Sequence, residues 1–461
     1  MNRPVSIIGA GLAGSEAALQ VAARGIPVVL YEMRPERTTD VHRTDACAEL
    51  VCSNSLKSMK AESAAGMLKR ELDVLGSKLY SAALRHAVPA GGALAVDRNA
   101  FADDVTAQID AEPLIELRRR EVTDLAAVAR DSAAVILATG PLTSDALADV
   151  LASLVGGPAL AFYDAAAPIV MADSLDHAIL FRQSRYEDAA DDAGNAQGDY
   201  LNAPFSKEEY ERFVDELLAA DRVMARDFES KDLFQACQPI EEIARAGRDA
   251  PRFGPMKPVG LTDPRTGRRP WAALQLRAED ALGSCYNLVG FQTNLKFGEQ
   301  ARVFRMIPGL ENAEFARYGV MHRNTFLDAP RLLDGALRLR CAGMDDIGCA
   351  VFVAGQLSGT EGYCEAIRSG LHAALSACAL VRGHEAPALP KEMAFGALIA
   401  HATSPDTIDY QPMHVNFGVL PPLDPPIRNK RDRYAAYAAR GERALAEYRA
   451  ALEDAGLIGG M

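Results

Sequence analysis

Short, unbroken apolar runs separated by stretches of helical spacing recur along the chain, a pattern of strands buried on both faces beneath covering helices. The run Pro4–Ile8 leads into Gly9-Ala10-Gly11-Leu12-Ala13-Gly14 and then an alanine-rich helical stretch, Ser15–Arg24. Gly25 ends that helix and Pro27–Tyr31 reads as the next strand. A polar, loop-like segment from Pro35 to Lys60 follows. Val135–Ala138, closed by Thr139-Gly140, predicts a further buried strand. The rhythm returns with Val351–Ala354 as a strand, Gly355–Gly362 as a glycine-rich loop and Tyr363–Val381 as a helix. Between these regions the character changes. Tyr186–Asp199 is polar and reads as a linker, after which Ser206 and Glu209 fit a capping box. Tyr210, Phe213, Val214, Leu217 and Leu218 then form one buried helical stripe. The expected fold class is α/β: a discontinuous Rossmann-like domain built from both ends of the chain around an inserted α+β domain. The expected boundaries are 1–196, 197–330 and 331–461, with a final helix from Asp432 to Ala455 packing back on the first domain.

The first glycine turn carries specific chemistry. A strand, a tight turn and a helix bring backbone N–H groups and a helix N-terminus against a pyrophosphate. Gly9 permits the turn, Gly11 keeps side-chain atoms away from the phosphate, and Gly14 allows close helix–strand packing. Glu32 lies about 20 residues on, where a carboxylate accepts the ribose hydroxyls. Gly140 and Gly355 sit at strand ends where a loop approaches a bound cofactor. The cofactor-contacting set is therefore Gly9, Ala10, Gly11, Leu12, Ala13, Gly14, Glu32, Gly140 and Gly355. The helix beginning at Tyr363 follows its own glycine loop and presents partial positive charge there.

Composition narrows the class. A 461-residue chain with 49% hydrophobic residues implies two or three folded domains. No apolar run reaches membrane-spanning length and no signal-peptide pattern opens the chain, so the expected location is the cytoplasm. The formal net charge of −13 disfavours indiscriminate nucleic-acid binding. It leaves room for local basic surfaces at Arg118–Arg120, at Arg265/Arg268/Arg269 and at Arg428/Lys430/Arg431/Arg433. Eight cysteines in so long a chain make no disulfide scaffold and show no zinc spacing. Cys349 and Cys378 read as inert core thiols. Cys52 and Cys237 stand apart: a thiol near a cation or a helix N-terminus can be partly ionised and act as a nucleophile, while chemistry alone leaves a structural role open for each. Cys47 and Cys52 also have the C-x4-C spacing of some flavin disulfide reductases, but bulky Glu49, Leu50 and Val51 fill the gap.

Several segments together go beyond general flavoprotein patterns. Gly9–Gly14 with Ser15-Glu16-Ala17-Ala18, the Glu49–Leu56 segment ELVCSNSL, and Cys237-Gln238-Pro239-Ile240-Glu241 resemble the folate- and FAD-dependent tRNA (uracil-5-)-methyltransferase family, TrmFO. Phe253–Leu261 (FGPMKPVGL), Phe291–Lys296 (FQTNLK), Tyr318–Thr325 (YGVMHRNT), Gly359–Tyr363 and Val415–Gly418 extend the resemblance over nearly the whole chain. Cys47 departs from the family pattern, which weakens the disulfide reading.

The resemblance implies an FAD-binding Rossmann-like domain (1–196 and 331–461) around an inserted substrate/RNA domain (197–330). It also implies an enzyme that converts a T-loop uridine of tRNA to 5-methyluridine. Methylenetetrahydrofolate would donate the carbon, NADPH or NADH would reduce the FAD, and the flavin would carry the methylene. Carried onto matching motifs, Cys237 becomes the nucleophile at uracil C6. Cys52 becomes the thiol near the flavin that handles the methylene or the C5 proton. Lys257, Lys296 and Arg323 are the candidate contacts to phosphate, folate carboxylate or nicotinamide cofactor, and metal is not expected. The alternatives are a flavin-dependent modification of another RNA uridine, wobble or ribosomal, and a thiol–disulfide oxidoreductase. The wobble-uridine flavoproteins resemble a longer chain with an extra C-terminal helical domain.

Overall fold

The computed structural model describes residues 3–39, 41–157, 160–185, 198–223, 238–408 and 410–459; the side chains of 160–164 and 322–323 fall outside that description. Val5–Ile8, buried at every position, lies at the centre of a five-stranded parallel sheet. The strand order is Ala350–Val353, Ala134–Leu137, Val5–Ile8, Val28–Glu32, Ile115–Arg119. One edge strand thus arrives from the far half of the chain. Burial on both faces explains the unbroken apolar runs in the sequence.

Two helices fix the sheet's upper edge. Leu12–Ala22 and Tyr363–Val381 meet along a seam of small residues, where a Cβ on Gly370 would lie 2.2 Å from the Ala13 carbonyl oxygen. That contact holds the two glycine-rich loops side by side. The last helix, Lys430–Asp454, returns to this core: a Cβ on Gly441 would come within 2.6 Å of Met67 Cε.

The second sheet is antiparallel, six-stranded, and ordered Phe181–Arg182, Tyr200–Phe205, Ala272–Ala278, Cys285–Leu288, Ile169–Met171, Phe315–Arg317. Its core holds a run of rings: Phe205, Phe213, Phe291 and Phe304, with successive centroids 5.5, 6.0 and 5.7 Å apart. Helix Lys207–Ala219 begins with the expected box, Ser206 Oγ accepting from Glu209 N and Glu209 Oε2 accepting from Ser206 N.

One expected boundary shifts. Ile169–Met171 and Phe181–Arg182 already belong to the second sheet, so the insert begins well before residue 197. These strands are only three and two residues long, too short to show alternation. Residues 186–197 of the expected linker lie outside the described residues. Strand Met321–Phe326 pairs with Leu160–Ala165 at the junction, and from Leu327 the chain packs into the first core.

Candidate active site

The carboxyl edge of the parallel sheet opens into an elongated cavity. Its walls come from the first glycine turn, the end of the second strand, the 42–57 segment, the loop after Ala138 and the 355–366 loop. The three glycines of the turn play different parts. Gly9 has φ +100°, and a Cβ there would meet the Ala138 carbonyl oxygen at 2.5 Å. A Cβ on Gly14 would overlap the Gly9 carbonyl oxygen at 1.8 Å. Both are demanded by packing. Gly11 has φ −74°, and a Cβ there meets nothing within 4 Å because it faces the cavity. Open space at this glycine, at a helix N-terminus, is what a phosphate needs.

Glu32 lines the same cavity. Its Oε2 accepts from Ala10 N at 3.1 Å, while Oε1 accepts from Arg34 N and Nε at 3.0 and 2.9 Å. Burial pushes this carboxyl up, but the Arg34 guanidinium and the Ala10 N–H outweigh it and bring it below its ordinary range. Arg34, itself 2% exposed, also donates through Nη1 to Glu49 Oε2 at 3.0 Å and the Thr44 carbonyl at 3.1 Å. Glu49 in turn takes N–H groups from Arg43 and Thr44. A chain of charge-assisted bonds therefore runs from the glycine turn to the segment that carries Cys52. His42, in the cavity wall, is driven down to about 4 by burial and the nearby Arg34, so it stays neutral.

Of the predicted cofactor residues, Gly9, Gly11, Leu12, Ala13, Glu32, Gly140 and Gly355 line the cavity. Ala10 and Gly14 stand behind it. Ala10 points its N–H at Glu32 and its carbonyl at Ala48 N, and Gly14 is consumed by helix–strand packing.

Cys52 is a free, half-buried thiol in the cavity wall. Its backbone N–H and that of Ser53 both donate to Tyr363 Oη, at 3.0 and 3.1 Å. Burial, then the adjacent Cys52, raises the Tyr363 phenol, which remains protonated. The inserted sheet grips the same segment. Arg317 Nη2 donates to the Val51 carbonyl at 2.6 Å, Arg277 Nε to Asn54 Oδ1 at 2.8 Å, and Asn54 Nδ2 to the Ala278 carbonyl at 3.0 Å. Arg98 bridges the Leu50 carbonyl at 2.5 Å and Glu279 Oε2 at 2.7 Å. Five residues away, Cys47 is fully buried, free, and pushed up to about 11 by burial. It has neither the exposure nor the ionisation that thiol exchange requires. Cys378 is likewise raised to about 11, as a core thiol should be.

Cys237 lies outside the described residues. The residues just after it are firmly held: Ile240 N donates to the Gln292 carbonyl at 2.7 Å. Glu241 accepts from Asn294 N at 2.7 Å and Thr293 Oγ1 at 3.0 Å. Burial lifts Glu241 to about 7. Ile240 and Glu241 are thus neighbours of the Phe291–Lys296 motif. The three predicted cations are not gathered in the nucleotide cavity. Lys296 is exposed and pairs with Asp221 at 3.0 Å; Lys257 lines a separate cleft on the inserted domain; the Arg323 side chain lies outside the described residues. Sequence reasoning passed over Arg34, Glu49, Arg98 and Arg317. Arg34 had a signal: a cation two residues beyond Glu32 falls on the same side of an extended chain.

A parallel sheet whose carboxyl edge carries this turn, with a carboxylate ending the second strand, defines a dinucleotide-binding protein of the Rossmann type. The family described as "Glucose inhibited division protein A" matches residues 4–385. Among curated relatives, the methylenetetrahydrofolate–tRNA-(uracil-5-)-methyltransferase TrmFO of Geobacter sulfurreducens is 53% identical over 97% of this chain and 98% of its own. The TrmFO of Solibacter usitatus is 51% identical over 98% of this chain and 100% of its own. The chain belongs to the TrmFO family, within the wider glucose inhibited division protein A group. A crystal structure of Aquifex aeolicus GidA shares the fold, with a TM-score of 0.70 at 16% identity over 99% of this chain and 76% of that one.

Proposed function

We propose that the protein methylates C5 of uracil in the T-loop of tRNA, taking the carbon from methylenetetrahydrofolate, with bound FAD and with NADPH or NADH as reductant. The named TrmFO relatives support the reaction class, at about half identity over nearly the whole chain. The site observation that carries the reading is a free thiol, Cys52, fixed by backbone contacts in the wall of a dinucleotide cavity.

The residues fit an FAD. Gly11 and the N-terminus of Leu12–Ala22 would receive the pyrophosphate, and Glu32 Oε2, with one protein donor, retains capacity for a ribose hydroxyl. Gly355, Gln356, Gly362 and the N-terminus of Tyr363–Val381 would face the flavin ring and favour negative charge on it. FAD held there supplies two-electron redox chemistry and a ring able to carry a one-carbon unit.

The rest is the work of thiols. Uracil C5 is a poor nucleophile until sulfur adds at C6, which makes an enolate with electron density on C5. That addition is assigned to Cys237. Once C5 has attacked the electrophilic methylene, its proton must leave, and Cys52 Sγ is assigned to take it. Loss of that proton expels the methylene's former carrier and leaves an exocyclic methylene on C5; hydride derived from NADPH or NADH then adds to that carbon as the C6–sulfur bond breaks, which restores the ring double bond and releases the Cys237 thiolate. Reaching a T-loop base requires that it be unstacked and turned into the site.

The test is incubation of the holoenzyme with an unmodified tRNA transcript, methylenetetrahydrofolate and NADPH, followed by mass spectrometry of the nucleosides. Expected is 5-methyluridine in the T-loop. Methyl incorporation from S-adenosylmethionine alone, or product at another uridine only, would overturn the reading.

A further inference from the structure

The inserted domain carries a second concavity, about 880 Å³, at the end of its sheet remote from the thiol segment. Six cationic side chains, Lys207, Arg252, Lys257, Arg265, Arg268 and Arg269, share its wall with two carboxylates, Glu209 and Asp263. In a chain of net charge −13 this is a strong local reversal of sign. Lys207 pairs with Glu211 at 3.7 Å and Arg252 donates to the Trp271 carbonyl at 3.2 Å, while two of the six cations are left open among the described residues. Arg265 is forked onto Asp263 at 2.9 and 3.1 Å, and Glu209 is occupied by the helix cap. Arg268 and Arg269 are exposed and make no side-chain ion pair or hydrogen bond among the described residues. The loop is built to present them: Asp263 N–H donates to the Arg268 carbonyl at 2.9 Å, and Gly267 turns with φ +66°.

Aromatic rings are interleaved with the charge. The Arg252 guanidinium stacks 3.8 Å from the Trp271 ring centroid, and Phe253 beside it is 75% exposed. Cations that track a backbone, next to rings that take a base or ribose face, are the chemistry of RNA contact. We propose that this cleft docks the phosphodiester backbone of tRNA, away from the nucleotide that is methylated.

The geometry favours RNA over a short anionic ligand such as a folate glutamate tail. Strand Ala272–Ala278 joins the two sites: the Ala278 carbonyl touches Asn54 in the thiol segment, and Trp271 lies at the cleft. At about 3.3 Å per residue the separation is about 20 Å. A folded RNA several base pairs long spans that gap while one base occupies the reaction site. The inference rests on tRNA being the substrate.

The experiment compares the holoenzyme with Arg268→Ala/Arg269→Ala and with Phe253→Ala, by fluorescence-anisotropy titration of an unmodified tRNA transcript across a salt series. The double variant should bind at least tenfold more weakly, with the slope of log K against log salt shallower by about two. Phe253→Ala should bind about fivefold or more weakly. Flavin content, methylenetetrahydrofolate KM and kcat at saturating tRNA should stay within twofold of the parent. Unchanged tRNA affinity and salt slope in the double variant would overturn the proposal, as would a loss confined to polyglutamylated folate. Parent enzyme that neither binds nor methylates tRNA would instead sink the functional reading itself.

Discussion

Replacing Gly11 by alanine separates ligand binding from folding, because the new methyl meets no protein atom within 4 Å. The backbone there, φ −74° and ψ −166°, suits alanine as well as glycine. Stiffening the unfolded chain gains about 0.4–1 kcal/mol. Alanine is a poorer N-cap, which costs a similar amount. The apoprotein should therefore melt within about 1 kcal/mol of the parent. The methyl nevertheless occupies the space a phosphate needs. Each lost hydrogen bond from backbone N–H to a charged oxygen is worth about 1.5–3 kcal/mol, roughly 10- to 150-fold in affinity. At a fixed FAD concentration well above the parent Kd, a 100-fold loss removes about 2.7 kcal/mol of ligand-induced stabilisation. Flavin fluorescence titration and thermal melts of apoprotein with and without FAD measure both quantities. Gly14→Ala is the counterpart, since its Cβ would overlap the Gly9 carbonyl oxygen at 1.8 Å and the variant should fail to fold stably. A Gly11→Ala protein that keeps stoichiometric, tight FAD would refute the assignment of this turn to the cofactor.

Other outcomes follow from the same contacts. Cys52→Ala should retain flavin and lose methylation, whereas Cys47→Ala should leave turnover within a fewfold; the reverse order in a nucleoside assay would revive the disulfide chemistry. Arg34→Met leaves Glu32 and Glu49 without their shared cation, and urea denaturation should show roughly 3–5 kcal/mol less stability. Glu241, raised to about 7 from 4.5, holds its proton more tightly when folded, so its contribution is fully present below about pH 4.5 and is lost as pH rises through 7. Glu241→Gln should flatten that fall in stability between pH 5 and 7.5, and an unchanged profile would count against a buried neutral carboxyl.

Features written in neighbouring residues were readable in advance. The glycine turn, the capped helix at Ser206 and the helix over Tyr363–Val381 each depend on spacing within one segment, and the structure places them as expected. What escaped depends on distant partners. The position of Glu32 at the cavity was legible from its spacing after the turn, but not that the N–H of Ala10 and the guanidinium of Arg34 engage it. Cys47 and Cys52 look alike in sequence, yet one is sealed in the core and the other reaches the cavity. Lys296 looked available until the fold set Asp221, 75 positions earlier, beside it. The two-residue strand Phe181–Arg182 earns its place through pairing with Leu201 and Asn202 rather than through any pattern of its own.

The grip of Arg98, Arg277 and Arg317 on residues 50–54 has a mechanical meaning. Bodies that swing against one another move least where they are fastened. With the fastening beside the Cys52 sulfur, any swing of one lobe against the other would turn about an almost stationary atom.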